Sequence, residues 1–167
     1  MKKILFVCTG NTCRSAMAQA FFNSFLKSEN PKYEHLKNEY YADSAGIAAS
    51  PGAPASDNAI TAMRENWGIS LDEHRSKSIS EELVKDAFLI LPMTFNQSDI
   101  IVANFPELEG ITHILQEYVN PDCHVQTQKA RARKFNIIDP YGLPLQSYIQ
   151  AAEEIRKAVE KLIERLP

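Results

Sequence analysis

KILFVCTGNTCRSA, residues 3–16, is the stretch on which the reading of the whole chain turns. Lys3–Cys8 is an almost unbroken apolar run, the pattern of a strand buried on both faces of a parallel sheet. From about Ser15 a helical period takes over, with Met17, Phe21 and Phe25 on one stripe and Ala18 and Phe22 beside it. Between strand and helix lies a loop holding Cys8, Cys13, Arg14 and the hydroxyls of Thr9, Thr12 and Ser15. In open parallel sheets ligands bind outside the carboxyl ends of the strands, where a strand hands over to its helix. Cys8 falls at that point.

The alternation continues downstream and predicts an α/β fold with crossover helices. YYADSAG (40–46) reads as a second strand running into a turn at Gly46. SDNAITAMRENWG (56–68) reads as a helix capped by Ser56, with Ile60, Met63 and Trp67 inward and a stop at Gly68. Ser78 and Glu81 have capping-box spacing before a short helix, and Thr94 and Gln97 repeat it before Ile100, Ile101 and Phe105. AFLILPM (87–93) is the third strand and ITHIL (111–115) the fourth. Tyr148, Ala152, Ile155, Val159, Leu162 and Leu166 mark a final helix at steps of three and four. SENPKYEHLKNE (28–39) is a polar connection. Residues 116–138 show little periodicity but carry the basic run Lys129–Lys134, read as a solvated face or a patch for acidic partners.

A chain of 167 residues suits one domain, 1–167, able to close a core without staples. The net charge of −3 provides no basic field for nucleic acid or anionic membrane. The apolar part of MKKILFVCTG is shorter than a signal-peptide core, and no window reaches the roughly 18 apolar residues of a membrane span. Three cysteines do not make a disulfide framework, and they point to a reducing, cytoplasmic setting. Cys123–His124 and the scattered His35, His74 and His113 lack metal-ligand spacing, so no metal or cofactor is expected. A monomer is expected.

Backbone N–H groups from Thr9 through Ser15 can curl around an anion, with the helix N-terminus adding its positive dipole end. Gly10 and Asn11 are residue types that tolerate the positive φ of a tight curl. Arg14 offers a planar fork matched to two phosphate oxygens. Cysteines in such settings react as thiolates, and Ser15 is placed to hydrogen-bond one. Cys8 then reads as a nucleophile beneath a bound phosphoryl group. The plainer reading is a small core residue ending a strand. Phosphoryl transfer also needs an acid for the leaving group. NIIDPYG (136–142) supplies Asp139, which is otherwise a turn initiator, and Tyr141, which can wall a cleft.

CTGNTCRS, DSAG, HRS and DPYG, in this order, resemble the low-molecular-weight protein tyrosine phosphatase family across nearly the whole chain. The resemblance implies a three-layer α/β/α sandwich with a four-stranded parallel sheet, order 2-1-3-4. It implies a phosphocysteine reaction on a phosphorylated protein, with Cys8 as nucleophile, Arg14 as phosphate clamp and Asp139 as acid and then base. It makes Thr9, Gly10, Asn11, Thr12, Cys13 and Ser15 the phosphate cradle, braced through Asn11, Ser44 and His74. Cys13 is either loop packing or a reversible disulfide partner of Cys8. His74 is either a brace or a surface histidine.

Thr12 resembles the protein arginine phosphatase branch, where tyrosine-directed members usually carry isoleucine or leucine. Glycine directly after the single aromatic of DPYG fits the same branch. Ala16 stands where proline is common, Gln97 where arginine phosphatases tend to carry histidine, and two linkers are long. The favoured expectation is a phosphoarginine phosphatase, with phosphotyrosine as the alternative substrate. Arsenate reductase shares the fold, but its relay cysteines are missing between Glu81 and Ser98.

Overall fold

A computed structural model describes residues 1–167. Three parallel strands, β1 (Lys2–Cys8), β2 (Tyr40–Gly46) and β3 (Ala87–Pro92), lie in the order β2-β1-β3. Around them run α1 (Arg14–Lys27), α2 (Asp57–Trp67), the short α3 (Glu81–Val84), α4 (Phe95–Asn104), the short α5 (Leu115–Tyr118), α6 (Gln128–Phe135) and α7 (Leu145–Arg165). The SENPKYEHLKNE connection contains a 3-10 turn, Pro31–Leu36.

Side chains alternate across a strand, so β1 feeds two cores. Ile4, Phe6 and Cys8 face a large cluster with Met17 and Phe22 of α1, Met63 of α2, and Ile155 and Val159 of α7. Leu5 and Val7 face a smaller cluster with Val84, Ile101 and Leu108. Burial on both faces is why the β1 run is continuously apolar. All six positions of the final helical stripe, from Tyr148 to Leu166, are buried.

The expected four-stranded sheet is corrected to three strands. ITHIL keeps the fourth place but makes a single parallel bridge, Thr112 to Ile90, with the His113 N–H donating to the Ile90 carbonyl at 3.0 Å. A 3-10 turn runs to Ile111 and α5 begins at Leu115, which leaves three extended residues and no room for a ladder. The expected Ser78–Glu81 cap is also corrected. Ser80 caps α3 by accepting the Leu83 N–H, while Ser78 donates to the Ala49 carbonyl. Thr94 and Gln97 do form the reciprocal capping box of α4.

Candidate active site

β1 ends at Cys8 and α1 starts at Arg14, so five residues make the turn between them. Its shape rests on Asn11, the one non-glycine residue with positive φ, at 56°. Gly10 was expected to share that role, and it does not. A Cβ there would meet only Thr12 Oγ1, at an ordinary contact distance of 3.7 Å, so neither strain nor close approach requires glycine at this position.

Left-handed backbone costs a non-glycine residue free energy, and surrounding contacts must offset it. Asn11 is fully buried and every polar group it carries is used. Its Nδ2 donates to Ser15 Oγ at 2.8 Å and Ser44 Oγ at 2.9 Å, and its Oδ1 accepts the Lys77 N–H at 2.8 Å. Its carbonyl accepts from His74 Nε2 at 2.6 Å, which assigns the ring proton to Nε2. Burial pushes the His74 pKa below its ordinary value, and Lys77 and Arg75 push the same way against the Asn11 bond. Ser44 Oγ in turn donates to Gln19 Oε1 at 2.6 Å.

Cys8 lies at the floor. Its Sγ accepts the Asn11 N–H at 3.3 Å, and Ser15 Oγ lies 2.9 Å away. Ser15 Oγ accepts from Asn11, and its single proton has two acceptors in reach, the Cys8 sulfur at 2.9 Å and the Ala45 carbonyl at 3.4 Å. The N–H groups of Gly10, Thr12 and Cys13 donate to no backbone carbonyl. They remain for an anion.

Cys8, Thr9, Gly10, Thr12, Cys13, Arg14, Asp139 and Tyr141 line a cleft of about 320 Å³, closed on the far side by Ala48, Ser50 and Ala53. Arg14 is buried, donating from Nη1 to the Ile137 carbonyl at 2.9 Å and pairing through Nη2 with Asp139 Oδ2 at 3.1 Å. The other Asp139 oxygen accepts the Tyr141 N–H at 3.1 Å. Tyr141 stands 71% exposed at the mouth. Cys13 Sγ lies 3.1 Å from Ser56 Oγ, and burial raises the pKa of this thiol. Ser56 therefore spends its hydroxyl on Cys13 and gives α2 no side-chain cap, contrary to expectation. A wider hollow of about 540 Å³ is lined by Gln116, Cys123, Lys134 and Glu154, with no arginine among its lining residues.

Sequence reasoning missed three contributors. Gly46 lies so close to the loop that a Cβ would stand 2.5 Å from the Thr9 carbonyl oxygen and 3.0 Å from the Asn11 nitrogen. Ser76 accepts the Ala53 N–H and donates to the Ser50 carbonyl, bracing the far wall. Gln97 reaches across from α4 to Thr9 Oγ1, 3.2 Å away. The DSAG and HRS motifs already contain Gly46 and Ser76, but neither motif announces these contacts. In the basic run, Arg131 pairs with Glu117 and stacks over Phe95, while Lys129, Arg133 and Lys134 are exposed on α6.

Fold and site together define an α/β protein with a cysteine at the floor of an anion cradle, faced by an arginine and a carboxylate. The chain belongs to the low molecular weight phosphotyrosine protein phosphatase family, whose model it matches over residues 3–167. It is 33% identical to a protein-arginine-phosphatase of Bacillus subtilis over 163 residues, covering 98% of this chain and 95% of that protein. It is 32% identical to a probable low molecular weight protein-tyrosine-phosphatase, EpsP, of Ralstonia nicotianae, covering 99% and 97%. The crystal structure of a low molecular weight protein tyrosine phosphatase from T. tengcongensis superposes with a TM-score of 0.82 at 37% identity, covering 99% of this chain and 100% of that one. No helix is long and apolar enough to cross a membrane.

Proposed function

We propose that this chain is a cysteine-dependent protein phosphatase that hydrolyses phosphoarginine through a phosphocysteine intermediate. The observation that carries the chemistry is the convergence of Cys8, Arg14 and Asp139 on one cleft. The Cys8 thiolate attacks phosphorus, an S–P bond forms and the P–N bond to the guanidinium breaks. Asp139 gives the departing nitrogen its proton. Asp139 then takes a proton from water, whose oxygen attacks phosphorus, and the S–P bond breaks to return the thiolate and release inorganic phosphate.

Arg14 holds the equatorial oxygens during both displacements, where charge is spread and electrostatic stabilisation is the main aid. Without substrate it pairs with Asp139; an incoming dianion competes for the same guanidinium and frees the Asp139 carboxylate, which takes up a proton from solvent and then gives it to the leaving group. Asn11, Ser15, Ser44 and His74 keep the cradle in shape, and the N–H groups of the Thr9–Ser15 loop receive the phosphate oxygens.

The substrate reading is supported by Thr12, whose small, partly polar side chain lines the cleft where a bulkier aliphatic group would favour a phenyl ring. The Bacillus subtilis relative is named for phosphoarginine and the Ralstonia relative for phosphotyrosine, so phosphotyrosine is the competing substrate. The exposed Tyr141 ring at the mouth is what favours it. The protein acts as a single domain and a monomer, in the cytoplasm, where its cysteines stay reduced. An oxidised Cys8–Cys13 pair would protect the thiolate from irreversible oxidation.

The experiment compares kcat/KM on phosphoarginine and phosphotyrosine peptides for the wild type and Thr12→Ile. Phosphoarginine is expected to lead in the wild type, and Thr12→Ile to move the ratio toward phosphotyrosine. A tyrosine preference unchanged by Thr12→Ile overturns the substrate reading. Cys8→Ser is expected to abolish turnover, and Asp139→Ala to slow it by about 10²–10⁴-fold, most for poor leaving groups.

A further inference from the structure

Gln97 is 2% exposed, yet both the oxygen and the nitrogen of its carboxamide have partners. Its Oε1 accepts the Met93 N–H at 2.9 Å and the Thr94 N–H at 3.2 Å. Two backbone donors on one side fix which way the amide faces, so its Nε2–H donates to Thr9 Oγ1 at 3.2 Å. A capping box needs only a bond back to the cap residue's N–H. The bond to Thr9 is extra, and it crosses from α4 to the loop that holds the nucleophile.

Thr9 is exposed and lines the cleft directly after Cys8. A threonine hydroxyl on the surface ordinarily turns among rotamers. Here the bond from Gln97 selects one and uses one lone pair, which leaves a lone pair and the O–H for a ligand. Thr12 lines the same cleft, as do Ser50 and Tyr141, and Thr9 and Thr12 are the two hydroxyl-bearing side chains that belong to the loop itself. A guanidinium carries several N–H donors that need acceptors, whereas a phenyl ring carries none.

We infer that Thr9 is a specificity contact for the leaving group, accepting a guanidinium N–H through its hydroxyl oxygen, and that Gln97 is the positioning residue that holds it there. This rests on the phosphoarginine reading and deepens it. A site that hydrogen-bonds its substrate discriminates against an analogue unable to make the bond, because its polar group is then left without a partner.

The test measures kcat/KM on matched phosphoarginine and phosphotyrosine peptides for the wild type, Thr9→Val, Gln97→Met, the double variant, and Gln97→Glu. Thr9→Val keeps the branched shape without the hydroxyl and is expected to lower the arginine-to-tyrosine ratio about 3- to 10-fold, the effect of one neutral hydrogen bond. Gln97→Met is expected to shift the ratio in the same direction, and the double variant to show no more than Thr9→Val alone. Gln97→Glu keeps the cap and reverses the bond, the Thr9 O–H donating to the carboxylate. Both lone pairs of the Thr9 oxygen then stay free, so the arginine-to-tyrosine ratio is expected to hold within about twofold while the buried charge lowers both activities alike.

If Gln97 merely stabilises α4, Gln97→Met lowers Tm and both activities alike, and the ratio stays put. An unchanged ratio in Thr9→Val overturns the inference whichever substrate the wild type prefers. A wild type that prefers phosphotyrosine overturns the substrate reading instead, while a ratio that still falls in Thr9→Val leaves Thr9 as the contact.

Discussion

Asn11 concentrates the problem the active site solves at the level of single residues. A left-handed residue at φ 56° is held by partners drawn from α1, β2 and the segment after α2. His74 is the partner whose state changes near neutral pH. Burial lowers its folded pKa, so the unfolded chain takes up a proton first as pH falls through the ordinary histidine range near 6.5. Stability contributed by this ring is therefore complete above that range and declines as pH drops toward the folded value. His74→Gln keeps an amide donor for the Asn11 carbonyl and removes the titration. Denaturant unfolding of both proteins from pH 8 to pH 5 is expected to show the wild type losing more stability toward acid. An equal or opposite slope would contradict the assignment of a neutral, buried ring.

At the scale of elements, the loop is shaped by what β2 and the 74–77 segment bring against it. Gly46 ends β2 beside Cys8, and it approaches the Thr9 and Asn11 backbone so closely that no Cβ fits. Gly46→Ala is expected to push the Thr9 and Asn11 backbone outward. It should cost about 1–3 kcal/mol in stability, as overpacking does, and remove most phosphatase activity. Chemical denaturation with a phosphatase assay on the same sample checks both parts; an alanine variant with wild-type turnover would show that the loop has slack. The 74–77 segment acts on two sides, since His74 and the Lys77 N–H hold Asn11 while Ser76 holds the Ser50–Ala53 wall. One short stretch thus braces the cradle and the cleft together.

Across the whole molecule, the site sits on the carboxyl edge of a sheet buried on both faces, and α7 seals the larger core. Ile155 is fully buried against that core. Ile155→Ala is expected to lower unfolding free energy by about 2–5 kcal/mol, lost burial plus a cavity. Because Ile155 does not line the cleft, kcat/KM at temperatures below the unfolding transition is expected to stay near wild type. Thermal unfolding and steady-state kinetics on one preparation separate the two. A large fall in kcat/KM without loss of folded protein would mean that core packing sets the geometry of the cradle.

Short-range patterns carried most of the architecture. The β1 run, the α7 stripe and the Thr94–Gln97 box were legible because periodicity and capping depend on residues a few positions apart. The candidate cysteine and arginine could be picked out because they share one strand-to-helix loop, and the candidate aspartate because it stands on a Pro- and Gly-bounded loop after an apolar run. Tertiary structure alone decided which groups meet. It put the positive φ on Asn11 and not Gly10, and it made Gly46 sterically obligatory. It left Ser56 at the N-cap position of α2 but turned its hydroxyl to Cys13, and shortened the fourth strand to one bridge. It also joined Gln97 to Thr9, 88 positions away in sequence. The physical reason is common to all of these. Local sequence sets what a segment can be, whereas sheet order and register determine which distant polar groups are buried together and must satisfy one another.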